Sequence, residues 1–143
     1  MPLKEDPSVA GVFTDQLIKE EVAIQDRMWG DANERADASG NQLLAAGIAQ
    51  ATLVRAKNDN LSVYSGEALL NEIKERLYPP DWDGFRDYGS NVANLVVAAA
   101  FIRSEIKRRV LLGEDTARAK RGEAYTTAKP YVSSDVAADE LYK

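Results

Sequence analysis

Phe13, Leu17, Ile24 and Met28 recur at spacings of four, seven and four, which places them on one helix face. A first helix is therefore predicted from Ser8, just after Asp6-Pro7, to about Trp29. Gly30 stops it, because glycine tolerates the left-handed cap conformation. The polar stretch 30–40 reads as a loop or frayed turn. A second stripe, Leu43, Gly47, Ala51 and Val54 with Leu44 beside it, predicts a helix from Gly40 or Asn41 to Lys57, ended by Asn58-Asp59-Asn60. Gly47 and Ala51 lie one turn apart and are small enough to admit another backbone. A third helix is expected from Ser65, its candidate N-cap, to Tyr78, with Ala68, Leu69, Ile73 and Leu77 facing the core. Pro79-Pro80 forces its exit into a turn spanning Pro80 to Gly84.

The fourth pattern is the most apolar. From Val92 to Ile102 only Asn94 is polar, which marks a helix enclosed by the others. That helix is expected from Asp87 or Ser90 to Leu112, ended by Gly113. Its predicted inner face is Val92, Leu95, Val96, Ala99, Ile102, Ile106 and Val110. Glu105 and Arg109 stand at the spacing of a solvated ion pair. From Glu114 onward the period dissolves into a polar segment, with a short helix expected at Ser134 to Leu141. The expected fold is thus all-α: a four-helix bundle-like core over 1–113 and an extended C-terminal arm over 114–143.

Composition narrows the chemistry. The 143 residues contain no cysteine and no histidine, so thiolate chemistry, the commonest metal ligands and a Ser-His-Asp triad are all excluded. Catalysis would fall to carboxylates, Lys, Tyr or hydroxyls with a hard metal such as magnesium. No cofactor is expected. The apolar run is far shorter than the ~20 residues a helix needs to cross a bilayer. The N-terminus, Met-Pro-Leu-Lys-Glu-Asp-Pro, carries acids and prolines where a signal peptide would be apolar, so synthesis in the cytoplasm is expected and no membrane partner.

The net charge of −5 is unevenly spread. Residues 1–102 carry 9 basic and 16 acidic groups, whereas 103–122 carry 7 and 3. A wide acidic body repels a phosphate backbone and argues against general nucleic-acid binding. The basic block, Arg103, Lys107, Arg108, Arg109, Arg118, Lys120 and Arg121, reads first as cations at the negative end of a helix and its exit.

Two sets of polar residues and one of aromatics are candidate chemistry. Glu72 and Glu75, at i and i+3, share one helix face, and Asn91 and Asn94 repeat that spacing on the next helix. This layout resembles the MazG-like all-α nucleotide pyrophosphohydrolases, in which E-x-x-E and E-x-x-D hold magnesium. Here the second pair lacks the two charges that retain the ion, which implies at most a degenerate site. Glu20 and Glu21 fall on or beside the apolar stripe of the first helix, and Arg35 is their candidate partner. In the arm, Tyr125, Tyr131 and Tyr142 punctuate polar sequence beside Arg118, Lys120, Arg121 and Lys129, the residue types that anchor interfaces.

The block Glu21, Gln25, Trp29-Gly30, 33–37, Gly40, Leu43, Ala45 and Ala46 is distinctive. With the Tyr78-Pro-Pro-Asp-Trp82 turn and the helix Asn94-Leu-Val-Val-Ala-Ala-Ala-Phe-Ile-Arg-Ser-Glu-Ile-Lys-Arg108, it resembles small uncharacterised proteins of tailed phages and prophages. The resemblance covers about residues 17–109 and implies an all-α fold with no established activity. The histidine that often sits in their acidic loop is missing here. The expected function is accordingly that of a phage-type accessory protein acting in the host cytoplasm by binding a host or viral protein, or a small phosphorylated ligand. Trp29, Arg35, Trp82, Tyr125, Tyr131 and Tyr142 are its candidate contacts, with a protein partner or homo-oligomer engaged through the arm. The alternatives are a virion structural subunit, such as a head-to-tail connector, which shares the plan of a helical core with an arm, and a degenerate MazG-like hydrolase with Glu72, Glu75, Asn91 and Asn94 as its metal-site residues.

Overall fold

The computed structural model describes residues 5–30, 41–59 and 62–114, and their order is helix after helix with no strand among them. The expected all-α fold is what the chain adopts. Helix α1 spans Pro7–Trp29, α2 Gln42–Asp59, α3 Gly66–Leu77 and α4 Asn91–Leu111. The arm expected beyond 114, its terminal helix, and Arg35, Tyr125, Tyr131 and Tyr142 lie outside the described residues. No described helix is long and apolar enough to cross a membrane.

The helix ends follow local chemistry. Asp6 caps α1 by accepting the Ser8 N–H at 2.9 Å, and Pro7 occupies the first helical position, where no N–H is required. Gly30, at φ 82°, closes α1 with its N–H on the Asp26 carbonyl. Ser65 stands at the N-cap of α3 but makes no side-chain cap bond there. Tyr78 leaves α3 in an extended conformation, as the prolines after it require. A turn forms here over 79–82 rather than 80–84, with the Trp82 N–H on the Pro79 carbonyl. Ser90 caps α4 by accepting the Ala93 N–H at 3.0 Å.

Tertiary packing redirects three of the predicted faces. In α1 the stripe residues Phe13 and Met28 are each 59% exposed, and Ile24 is also exposed. The inward line instead runs through Glu21, Gln25 and Trp29, with Gln25 completely buried. In α3 only Leu69 and Ile73 of the predicted face are buried, while Ala68 and Leu77 are exposed. In α4 the inward residues are Asn94, Val97, Ala98, Ala100, Phe101, Ser104 and Glu105. Val92, Leu95, Ile102, Ile106 and Val110, predicted to face inward, are exposed.

The enclosed helix is α2, not α4. Eight of its eighteen residues are buried, against seven of twenty-one in α4: Leu43, Ala46, Gly47, Ala49, Gln50, Leu53, Val54 and Ala56. Four of these are Ala or Gly, small enough to let a neighbouring element come close. A Cβ built on Gly47 would lie 2.8 Å from Ile102 Cγ1 and 3.2 Å from the Ala98 carbonyl oxygen of α4. The expected close backbone approach at Gly47 is therefore present. Leu43, Leu53, Leu69, Ile73, Tyr78, Val97 and Phe101 fill the core between the helices. Burying a side chain the size of Phe101 contributes about 1.5–3 kcal/mol.

Contacts divide the chain at Arg108/Arg109. Glu105, buried at the end of the first unit, meets Arg108 through two hydrogen bonds of 2.7 and 3.0 Å. Within the second unit, Arg109 meets Glu114 at 3.2 Å, and the Gly113 and Glu114 N–H groups close the helix on the Val110 and Arg109 carbonyls. Glu105 thus has an ion-pair partner at i+3.

Candidate functional site

The connector between α3 and α4 folds onto the C-terminal end of α1. Tyr78 is fixed by the end of α3, and its hydroxyl donates to the Asp83 carbonyl at 3.1 Å, which holds the 79–83 turn against its ring. Tyr78 lies edge-on to Trp82, with ring centroids 6.4 Å apart, and tilted against Phe85 at 5.2 Å. Trp29, the last residue of α1, stacks on Phe101 of α4 at 6.1 Å and 21°. Trp82 approaches the same Phe101 at 6.2 Å. One buried ring thus braces both tryptophans of the chain.

Between them opens a hollow of about 320 Å³, whose described lining is Trp29, Tyr78, Asp81, Trp82 and Asp83. Asp81 and Asp83 are exposed, whereas the two indoles are half-buried. Gly84 permits the approach: at φ 97° it adopts a conformation that side chains rarely take, and a Cβ there would lie 3.3 Å from Trp29 Cζ2. Rings carry negative charge on their faces, and the two carboxylates add to it, so the described wall is aromatic and anionic.

Two of the predicted contact residues, Trp29 and Trp82, are therefore brought together although 53 positions separate them in sequence. The Tyr78-Pro-Pro-Asp-Trp82 turn gave a sequence signal for Tyr78 and Asp81. Nothing in the sequence marked Phe101 as the ring beneath both indoles, because it reads there as one more apolar residue of α4.

Of the metal-site candidates, Glu72, Asn91 and Asn94 engage other side chains. Glu72 receives a hydrogen bond from Ser62 Oγ at 3.2 Å and lies 3.5 Å from Arg76. Glu75 is exposed. Asn91 donates to Asn58 Oδ1 at 3.2 Å. Asn94, fully buried, accepts from Gln50 Nε2 and the Tyr88 N–H, each at 2.9 Å, and donates to Asp87 Oδ1 at 3.0 Å. Among the described residues no three acidic side chains gather as a metal-holding group.

Asp87 also accepts from the Gly89 N–H and pairs with Lys57. These contacts, the Lys57 hydrogen bond foremost, hold its carboxyl down from the ordinary 3.8 to about 2. In α1, Glu20 is exposed and accepts from Gln16, whereas Glu21 is half-buried and accepts from Gln25 Nε2 at 3.2 Å. Burial pushes the Glu21 carboxyl above its usual range, and the Gln25 bond only partly offsets this. Gln25 Nε2 donates also to the Val97 carbonyl at 3.3 Å, while its Oε1 is buried without a hydrogen bond.

Compared with protein-family models, with curated proteins and with solved structures, the chain matches none of them.

Proposed function

We propose that this protein works by binding, as an accessory protein of the phage type that its sequence block resembles, and that it receives a protein partner at the Trp29–Tyr78–Trp82 hollow. The carrying observation is the hollow itself: two half-buried indoles braced on the buried Phe101 ring, with the Tyr78 ring edge-on to Trp82. Rigid aromatic side chains at a concave site give large contact area at small conformational cost, which is how binding hot spots work. Of the two ligand classes weighed from the sequence, the carboxylates of Asp81 and Asp83 disfavour a phosphorylated small molecule by like-charge repulsion and leave the protein partner.

The test is peptide selection from a random library on the full chain, followed by affinity measurement on a Trp82→Ala variant. Selected peptides should compete with one another and weaken by at least about tenfold on the variant, a loss of about 1.4 kcal/mol. Peptides that bind wild type and variant equally would refute the hollow as the contact.

A second reading, a virion structural subunit built by self-association, is supported by the apolar residues left exposed on α1 and α4, among them Val12, Phe13, Met28, Val92 and Leu95. Sedimentation of the full chain tests it: a large oligomer of ring-forming order supports the structural subunit, and a monomer refutes self-assembly.

A further inference from the structure

From the composition of its wall, we infer that the hollow takes an arginine side chain presented by a basic segment of the partner. The inference rests on the binding reading above and adds the chemistry of the group that enters. Trp29, Tyr78 and Trp82 offer π-electron density, and Asp81 and Asp83 supply formal negative charge at the same opening. A purely apolar guest would leave the two carboxylates to be desolvated with no compensation. An anionic guest would meet them head on. A cation satisfies both parts of the wall, through cation–π attraction to the rings and charge-assisted hydrogen bonds to the carboxylates.

Among cations, the guanidinium fits better than an ammonium. It is planar and weakly hydrated, so it stacks on an indole at small desolvation cost while its edge still presents donors to a carboxylate. An ammonium is a compact, strongly hydrated charge that gives up more water to enter. The described residues already use the pairing, where the Arg86 guanidinium lies over the Tyr88 ring at 5.4 Å. A volume of about 320 Å³ admits one long side chain with its methylenes rather than a folded element. The surrounding charge helps as well. Residues 1–102 carry 16 acidic against 9 basic groups, a field that draws a basic segment towards this part of the chain.

Trp29 and Trp82 are the only tryptophans in the chain, so its intrinsic indole fluorescence reports on this hollow alone. The experiment titrates the full chain with the capped tripeptide Gly-Arg-Gly and with the analogues carrying citrulline, leucine or trimethyl-lysine in place of arginine. The expected result is a saturable fluorescence change with the arginine peptide, weakening as salt is raised. Citrulline, which keeps the shape and loses the charge, should bind at least about tenfold more weakly. Asp81→Asn/Asp83→Asn, whose side chains are exposed, should keep its helical circular dichroism and lose arginine affinity by at least about fivefold. No saturable response to the arginine peptide, or an equal response to citrulline or leucine, overturns the inference. Tighter binding of the trimethyl-lysine peptide overturns the choice of arginine. If library peptides weaken on Trp82→Ala yet contain no arginine, the binding reading stands and this inference fails. If they bind that variant undiminished, the binding reading itself falls.

Discussion

Gln50 of α2 donates its side-chain N–H to Oδ1 of Asn94 in α4 at 2.9 Å, a hydrogen bond between two amides that are both almost completely buried. Around it, Gln50 also donates to the Arg86 carbonyl at 2.8 Å, and Asn94 accepts the Tyr88 N–H and donates to Asp87. Two amides thus hold the 86–89 segment against two helices. Because each unsatisfied buried group costs about 1–3 kcal/mol, Asn94→Ala should lower stability by roughly 2–4 kcal/mol in urea unfolding. Asn94→Asp should do no better, since it would set a second carboxylate within 3.0 Å of Asp87. A loss below about 0.5 kcal/mol for either would show that the network is not holding the core.

The Asp87 carboxyl sits at about 2, held down first by the Lys57 hydrogen bond and then by Asn94 and the Gly89 N–H. A depressed carboxyl contributes stability that is present above its unfolded value near 3.8 and is lost as pH falls towards 2. Both partners of the ion pair are partly exposed, so the contribution is about 0.2–1 kcal/mol after screening. Asp87→Asn should therefore flatten the stability profile between pH 4 and pH 2. An unchanged slope in that window would contradict the assignment.

Glu21 has the opposite sign. Burial raises its carboxyl above the ordinary 4.5, so its contribution favours the folded state at low pH and fades as pH rises through the folded value. Glu21→Gln keeps an acceptor for Gln25 while removing the charge. It should stabilise the protein at neutral pH by on the order of 0.5 kcal/mol, allowing for partial exposure, and the gain should vanish in acid. Thermal melts of both proteins at acid and neutral pH measure it, and a variant less stable at neutral pH would refute the burial effect.

Gly47→Ala would ordinarily help a helix by about 1 kcal/mol. Here the new methyl would stand 3.2 Å from a backbone oxygen and 2.8 Å from Ile102 Cγ1, and overpacking of this kind costs about 1–3 kcal/mol. A net loss is expected, partly recovered in Gly47→Ala/Ile102→Ala, where the closer obstruction is removed. Chemical denaturation of the two variants reads it. A Gly47→Ala protein as stable as wild type would mean that α2 and α4 move apart freely.

Ala100 is fully buried in α4 and Ala99 is not, although both lie in the same apolar run. Asp at 100 should abolish the folded circular dichroism signal by placing an unpaired charge in the core, while Asp at 99 should fold. Equal behaviour of the two variants would mean that the inward face of α4 is drawn wrongly.

Features that depend on neighbours along the chain were legible before folding. The four helices begin and end within a few residues of where capping side chains, glycines and Pro79-Pro80 put them, because those signals act through backbone geometry and local hydrogen bonds. The close approach at Gly47 was legible for a related reason, the small size of one residue. Which face of each helix is buried depends instead on packing between the helices. In α1, Phe13 and Met28 share a stripe that periodicity finds at once, yet they are exposed while Gln25 is buried, because its amide finds acceptors in Glu21 and the Val97 carbonyl. In α4, a run apolar nearly all round carries no directional information, and the inward side is the one on which Phe101 meets Trp29 and Trp82 and Asn94 meets Gln50. The hollow follows the same rule. Both tryptophans could be singled out as residues, but their meeting over one ring depends on contacts between α1, the connector and α4, which no local pattern encodes.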